Sequence, residues 1–393
     1  MGSDNLARAA KLMGVILLLA IVIFSFLWMA QFTQPVRDGG SAGEQEEIFS
    51  VDLISDLVVS PGGEAMALVV QTPGEIKWSV TKAPHIEWER LNRTVWVHWF
   101  EEQKWVKLNT EKGSVDSLSL PAWAPDGKQI CFVRVEYENK DYDWEIWVGN
   151  TRDGSCGRVS EGYLGTVATW TSSGSWIVFV ARRNEESPKK LWAIRPDGTS
   201  KRVLIDSEDL KSWGSWGVIS EDRIIYSPEK ADCINVITVE SGKAERLFDG
   251  FELGHLTILS PTGDRYIFFD EVSDSYYLVP NGKDPRQLFG EDIDSKMIFN
   301  LKWFPGGDKV LFTKHQDNFN KVCVLNVRTG KLYSVMHAPE LPAVVPLGDR
   351  QLLCNDGSSV WIVNIDGEHK RSLSFPKKIQ SRINSISSSE TSR

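Results

Sequence analysis

The sequence lacks a surplus of positive charge: 44 Lys and Arg stand against 53 Asp and Glu, a formal net charge of −9. Phosphate backbones are held by a basic footprint, so a nucleic-acid partner is excluded. Cysteine is scarce too. The five, Cys131, Cys156, Cys233, Cys323 and Cys354, include no CxxC pair, and an odd number cannot make a fully paired disulfide framework. Four of the five sit in apolar, strand-like runs and read as buried thiols; a bridge from Cys131 to Cys156 is the alternative.

Catalytic signatures are missing as well. There is no GxSxG elbow, HExxH helix, Walker loop or EF-hand loop. Gly154-Ser155-Cys156-Gly157 is a hairpin turn without a placed histidine, and a lone Ser or Cys is no nucleophile. The histidines (His85, His98, His255, His315, His337 and His369) are scattered, and His255 is the one best placed for an inner strand to aim it into a central channel. Asp141-x-Asp143-x-Glu145 offers oxygens of the kind Ca²⁺ takes, but its Tyr and Trp spacers mark a solvated strand edge. Asn92-Arg93-Thr94 matches a glycosylation triplet, a pattern that chance supplies often. No metal and no cofactor is expected.

Long hydrophobic runs are absent with one exception. Residues 12–32 (LMGVILLLAIVIFSFLWMAQF) carry no charge and would span about 30 Å as a helix, the thickness of a hydrocarbon core. Arg8 and Lys11 precede the run, whereas Asp38, Glu44, Glu46 and Glu47 follow it against Arg37. The positive-inside bias then puts residues 1–11 in the cytoplasm and the chain beyond the span outside, periplasmic or extracellular. Trp28 stands where an interfacial aromatic would. A cleaved signal peptide is the competing reading, but its apolar core is shorter, about 7 to 15 residues, and ends in small residues. A single-pass anchor in the cytoplasmic membrane is expected. Residues 33–50 read as a flexible tether and the Ser-rich 377–393 as a disordered tail.

What is abundant is tryptophan, with 16 residues, which favours a β-rich fold with aromatic packing. Two kinds of turn alternate along residues 50–373. The first is Pro61-Gly62-Gly63, Pro125-Asp126-Gly127, Ser172-Ser173-Gly174, Ser220-Glu221-Asp222, Pro261-Thr262-Gly263, Pro305-Gly306-Gly307 and Pro346-Leu347-Gly348. An apolar run such as QICFV, WIVFV or KVLFT follows each. The second is a tight hairpin turn, Asp153-Gly154, Asp197-Gly198, Ser241-Gly242, Asn281-Gly282, Thr329-Gly330 and Asp366-Gly367, with Glu101-Glu102-Gln103 in its place in the first repeat. An alternating run such as EIWVGN or SVWIVN precedes these turns. Short strands at a period of roughly 40 to 48 residues predict an all-β repeat protein. Four antiparallel strands per unit, repeated radially, make a β-propeller over residues 51–376, with units starting near residues 52, 119, 166, 213, 255, 299 and 342. Seven blades are expected and six is the alternative count; a β-helix or sandwich fits the four-strand alternation less well. Glu47–Leu53 (EIFSVDL) is a candidate strand for closing the ring on the last blade.

Pro121-Ala122-Trp123-Ala124-Pro125-Asp126-Gly127 with its KQICFV strand, and LKWFPGGDKVLFT at 301–313, resemble the repeats of TolB-type propellers and of the propeller domain of prolyl oligopeptidase-like peptidases. The resemblance implies the architecture and is almost silent on function. No hydrolase domain follows the repeats, and an apolar span and tether stand where TolB has an α/β domain.

Loops joining the second strand to the third, and the fourth to the next unit, fall together on one face and vary in length. This face carries the candidate binding residues Trp78, His85, Trp88, Tyr142, Trp144, Trp213, Trp216 and His255. The competing reading is that these aromatics only cover the blades' rim. The expected function is a non-enzymatic binding or scaffold module with a protein partner in the cell envelope. The alternatives are a propeller hydrolase or lyase acting on carbohydrate or ester substrates, and a small-ligand sensor using the channel.

Overall fold

The computed structural model describes residues 46–47, 54–72, 76–77, 92–108, 114–115, 121–138, 141–160, 164–182, 190–206, 215–229, 232–280, 283–290, 293–316, 319–338, 343–355, 360–367 and 371–373. The expected anchor at 12–32 and tail at 377–393 lie outside them, as does the expected tether apart from Glu46–Glu47. Among the described residues no helix is long and apolar enough to cross a membrane. The chain divides into two units, Met1–Glu47 with Lys77–Glu87 and Ile48–Ile76 with Trp88–Arg393. Of the first unit, Glu46–Glu47 and Lys77 are described, all in extended backbone.

The second unit is seven four-stranded antiparallel blades in chain order. Their strands, a to d, are as follows. Blade 1 has Ile54–Val59, Ala65–Thr72, Asn92–Trp99 and Lys104–Lys107. In blade 2, strand a is split into Ser114–Val115 and Ala122–Trp123, both paired with Gln129–Glu138; Asp141–Asn150 and Cys156–Ser160 follow. Blade 3 has Leu164–Trp170, Ile177–Arg182, Lys190–Ile194 and Arg202–Ile205. Blade 4 has Trp216–Ile219, Arg223–Tyr226, Cys233–Thr238 and Ala244–Asp249. Blade 5 has Leu253–Leu259, Arg265–Asp270, Ser275–Pro280 and Arg286–Gln287. Blade 6 has Ile298–Trp303, Lys309–Gln316, Phe319–Asn326 and Leu332–Ala338. Blade 7 has Ala343–Leu347, Gln351–Asn355, Val360–Asn364 and Arg371–Ser372. Neighbouring a strands touch (1 with 2 and 7, 2 with 3, 4 with 5, 5 with 6, 6 with 7), so strand a is the inner one. The count of seven stands.

Successive side chains of a strand point to opposite faces, so each strand b serves two interfaces. In blade 3, Ile177, Phe179 and Ala181 pack toward blade 2, while Val178 and Val180 pack toward blade 4. In blade 5, Tyr266 and Phe268 face blade 4, and Ile267 and Phe269 face blade 6. Burial on both faces is why these runs read as continuously apolar. The core is accordingly a set of layers between blades. The layer that closes the ring joins Leu57, Met66, Leu68 and Val70 of blade 1 to Val345, Leu347, Leu353, Val360 and Ile362 of blade 7. Strand d of blade 7 comes from the chain's end and pairs with strand c of the same blade. Among the described residues, then, closure rests on side-chain packing. The closing strand expected at Glu47–Leu53 falls outside them apart from Glu47.

The repeated tryptophan has a defined job. Trp123, Trp170 and Trp303 occupy the same place on strand a of blades 2, 3 and 6. Each donates its indole N–H to a strand-a carbonyl of the preceding blade: Val58 at 3.4 Å, Ala122 at 2.9 Å and Ile258 at 3.2 Å. The a–b turns behave as the sequence implied, with Gly127 at φ 70° and Gly174 at 74°. Blade 4 lacks the glycine, and there Glu221 and Asp222 take φ values of 61° and 51°. The Asp222 carboxylate accepts from the Ser173 backbone N–H at 2.8 Å, and its own N–H donates to Ser172 Oγ at 3.0 Å. The neighbouring blade's turn thus holds a conformation that a non-glycine residue adopts reluctantly.

All five cysteines are free, and four of them, Cys131, Cys233, Cys323 and Cys354, are buried. Cys131 faces blade 3 and Cys156 packs toward blade 1, opposite sides of one sheet, which removes the alternative of a bridge between them. Burial pushes the Cys131 thiol up to about 12.

Candidate functional site

The two faces of the propeller differ in construction. On one, the c–d turn of blades 2, 4, 6 and 7 is laced to the a–b turn of the same blade. Thr151 N–H donates to Lys128 O at 3.0 Å, Val239 to Asp222 at 3.0 Å, Val327 to Asp308 at 2.9 Å and Ile365 to Arg350 at 2.9 Å. Satisfying these backbone groups leaves a tight, hydrogen-bonded rim. The b–c and d–a loops emerge on the other face, since adjacent strands are antiparallel.

The candidate residues do not converge there. Trp78, His85, Trp88 and Trp213 lie outside the described residues. Tyr142 sits opposite Tyr137 on the blade 2 hairpin, and His255 lies in strand a of blade 5; their side chains are not among those described. Trp144 is half-buried against the layer between blades 2 and 3. Trp216 is buried between blades 3 and 4, opposite Tyr226. The described members therefore spread over blades 2, 4 and 5, two of them packed into blade interfaces.

Blade 2 carries the longest hairpin, with strands b and c of 10 residues each. Cross-strand pairing sets Glu145 opposite Arg134, and above them Asp143 opposite Glu136 and Asp141 opposite Glu138. Arg134 and Glu145 are both buried, 3% and 5% exposed, with 3.5 Å between Nη1 and Oε2. Trp147 Nε1 donates to Glu145 Oε2 at 2.8 Å, and Arg158 Nη1 to Oε1 at 3.0 Å. Both carboxylate oxygens are therefore engaged, as a buried ion requires. The Ca²⁺ arrangement raised by Asp141-x-Asp143-x-Glu145 loses its third ligand to this network. Among the described residues no three His, Cys, Asp or Glu side chains gather as a metal site.

A surface that the sequence reading passed over lies at blades 5 and 6. Exposed large apolar side chains occur here close together: Val272 at 59%, Met297 at 42% and Phe299 at 45%. Each is held by a specific local device. Val272 rides the b–c loop of blade 5, which buried Asp270 clamps by accepting from Glu252 N–H at 2.7 Å and Ser273 N–H at 2.9 Å. Met297 ends a 3₁₀ turn, Ser295–Met297, capped by the Asp294 carboxylate. Lys296 and Asp274, 2.7 Å apart, tie the two loops together. Phe299 is followed by Asn300 at φ 57°, where the register of strand a against strand b slips. Asn300 Nδ2 donates to Val344 O of blade 7 at 3.0 Å, fixing this bulge. Bulges re-aim side chains, and this one leaves Phe299 at the surface of an inner strand.

The loops on this side of blades 4 to 6 carry several carboxylates. Glu229, Asp232, Glu271, Asp274 and Asp294 are exposed and Glu252 is half-buried. Cations stand among them: Lys296 pairs with Asp274, and half-buried Lys314 lies opposite Ile298, between Met297 and Phe299. The sequence signal was thin. Met297 and Phe299 belong to an apolar run (KMIFN) that looks like ordinary strand.

No family model matches the chain. An uncharacterised protein of Agrobacterium fabrum is 24% identical over 164 residues, 37% of this chain, and the chain spans about half (52%) of that relative's length. Among solved structures, the β-propeller domain of the Trilobed protease from Pyrococcus furiosus, described as having an open velcro topology, is similar with a TM-score of 0.53 and 17% identity. That match covers 82% of this chain and 95% of the other. Pyrococcus horikoshii acylaminoacyl peptidase is similar at TM-score 0.54 and 16% identity, over 84% of this chain and 54% of its own. TolB from Acinetobacter baumannii matches at TM-score 0.43 and 14% identity, over 72% of this chain and 59% of that chain. At these identities the likeness is one of fold: the chain carries a seven-bladed β-propeller, an architecture similar to the propellers of these peptidases, as its repeats implied.

Proposed function

We propose that the chain is a membrane-anchored, extracytoplasmic binding module that engages a protein partner through the long-loop face of its propeller. The observation that carries this reading is the group Val272, Met297 and Phe299, exposed yet rigidly mounted beside an inner strand. Apolar side chains held at a surface in this way mark interaction sites. The anchor follows from the uncharged run 12–32, and the outward orientation from the charges flanking it.

Site-specific photocrosslinking in intact membranes tests the reading. A photoreactive residue at position 272 should give one discrete adduct, and the same residue at position 173, on the turn face, should give none. Equal labelling at the two positions, or none at 272, would overturn it.

A further inference from the structure

We infer that His98 is an acid-sensitive latch on the seam between blades 7 and 1, and that the seam parts when its imidazole takes a proton. The inference is independent of the binding function proposed above and concerns the ring itself.

His98 belongs to the face of blade 1 that meets blade 7. Cross-strand pairing sets it opposite Met66 on strand b and Trp105 on strand d. Met66 is buried in the layer shared with Leu353, Val360 and Ile362 of blade 7, and Trp105 and Phe100 pack against that layer. His98 stacks on Trp105, meets Phe100 edge-on with ring centroids 5.5 Å apart and is 2% exposed. A neutral imidazole suits this apolar setting, whereas an imidazolium needs water or a carboxylate. Its Nδ1 has no hydrogen-bond partner among the described residues. The described charged side chains on the two facing surfaces are Lys107, on strand d of blade 1, and Arg371, on strand d of blade 7, both cations. Lys104 sends its ammonium to Arg152 O of blade 2 at 3.1 Å. Carboxylates at the nearby turns are engaged elsewhere or face water. Glu64 accepts from Ser60 Oγ at 3.3 Å, Glu102 pairs with Arg152, and Asp349 accepts from Gly306 N–H at 3.1 Å. Glu101 and Asp366 stand exposed on the c–d turns. Burial lowers the pKa of His98, and what opposes burial is a backbone hydrogen bond at Lys104, not a charge.

A proton therefore favours any state in which the ring reaches water. Blades 7 and 1 are the neighbouring pair that no d–a loop joins, so their interface parts with the least disturbance of the chain. An opened seam returns His98 to an ordinary pKa of about 6.5. Opening then grows easier as pH falls below that value, by up to about tenfold at pH 5.5.

The test uses the purified full chain in detergent with Val360→Cys, which puts a reporter thiol at a buried position of the seam. Cys323, between blades 5 and 6, and Cys354, between blades 6 and 7, report on other interfaces of the same molecule. Labelling by 4,4′-dithiodipyridine is read thiol by thiol by peptide mass spectrometry at pH 7.5 and 5.5. Taking the rate of the seam thiol relative to that of Cys354 cancels the reagent's own pH dependence. That ratio should rise severalfold, up to about tenfold, at the lower pH. With His98→Phe, which keeps a ring in the stack, it should stay flat; His98→Gln serves in its place if the Phe variant does not fold. With His337→Gln, an exposed position on blade 6, the rise should persist. A flat ratio in the chain that keeps His98, or an equal rise in the chain that lacks it, would overturn the inference. So would equal acceleration of the three thiols, which would mean that acid loosens the whole propeller and not its seam.

Discussion

At the scale of single residues, the molecule's least ordinary groups are buried and polar. His98 is 2% exposed, stacked on Trp105 with ring centroids 4.4 Å apart, and its Nδ1 has no hydrogen-bond partner. Burial pulls its pKa below 6.5, opposed in part by a backbone hydrogen bond at Lys104. The unfolded chain then binds a proton more readily than the folded one. The stability His98 permits is fully present above about pH 6.5 and declines as pH falls through that value toward the lower folded pKa. His98→Phe, which keeps the stack, should flatten the fall in melting temperature between pH 7.5 and 5.5; an unchanged slope would assign the effect to other groups. Glu145 makes the complementary case. Glu145→Ala takes from buried Arg134 the carboxylate 3.5 Å away and should cost about 3–5 kcal/mol in denaturant unfolding. Replacing the two together, Arg134→Met with Glu145→Leu, should cost less than the single change, because a buried charge is costlier than an apolar side chain when its ion pair is broken.

At the scale of elements, the staple made by the repeated tryptophan can be isolated. Trp170→Phe retains the ring in the layer between blades 2 and 3 but removes the donor to Ala122 O, for an expected loss of about 1–2 kcal/mol. A loss above that would mean the ring's packing, not its N–H, carries the repeat. Turns and strands of this kind were legible in the sequence because their causes are local. A Gly is needed where φ is positive, and an apolar run where a strand is buried on both faces. Ser220-Glu221-Asp222 shows no glycine in the turn of blade 4, but nothing local shows that Ser172 and Ser173 of the next blade over hold Asp222 in place. The candidate site was legible only as a face. Trp216 looks like an exposed loop aromatic in SWGSW and is core, whereas Phe299 looks like a strand residue and is exposed, since a bulge at Asn300 decides its direction. Aromatic content is visible in a sequence. The slip of register that turns a side chain outward is a tertiary event.

At the scale of the whole propeller, one interface differs from the other six in its covalent connection. Blades 1 to 7 follow one another along the chain, so each successive pair is joined by a d–a loop, while among the described residues blades 7 and 1 meet through side chains. Their turns come close as well: a Cβ added at Gly63 would lie 3.5 Å from the Gly348 backbone N. Cavities of equal chemistry in two interfaces should therefore act differently. Leu353→Ala, in the layer between blades 7 and 1, and Leu311→Ala, between blades 6 and 7, both truncate a fully buried leucine and should each cost about 2–5 kcal/mol globally. Only the first weakens a contact that can part without disturbing a connecting loop. Native-state hydrogen exchange should then speed up in 65–70 and 351–355 for Leu353→Ala at denaturant concentrations too low for global unfolding. Leu311→Ala should shift protection in all blades together. The same pattern in the two variants would mean that the ring unfolds as one cooperative body and that the interface between blades 7 and 1 is no weaker than the six looped ones.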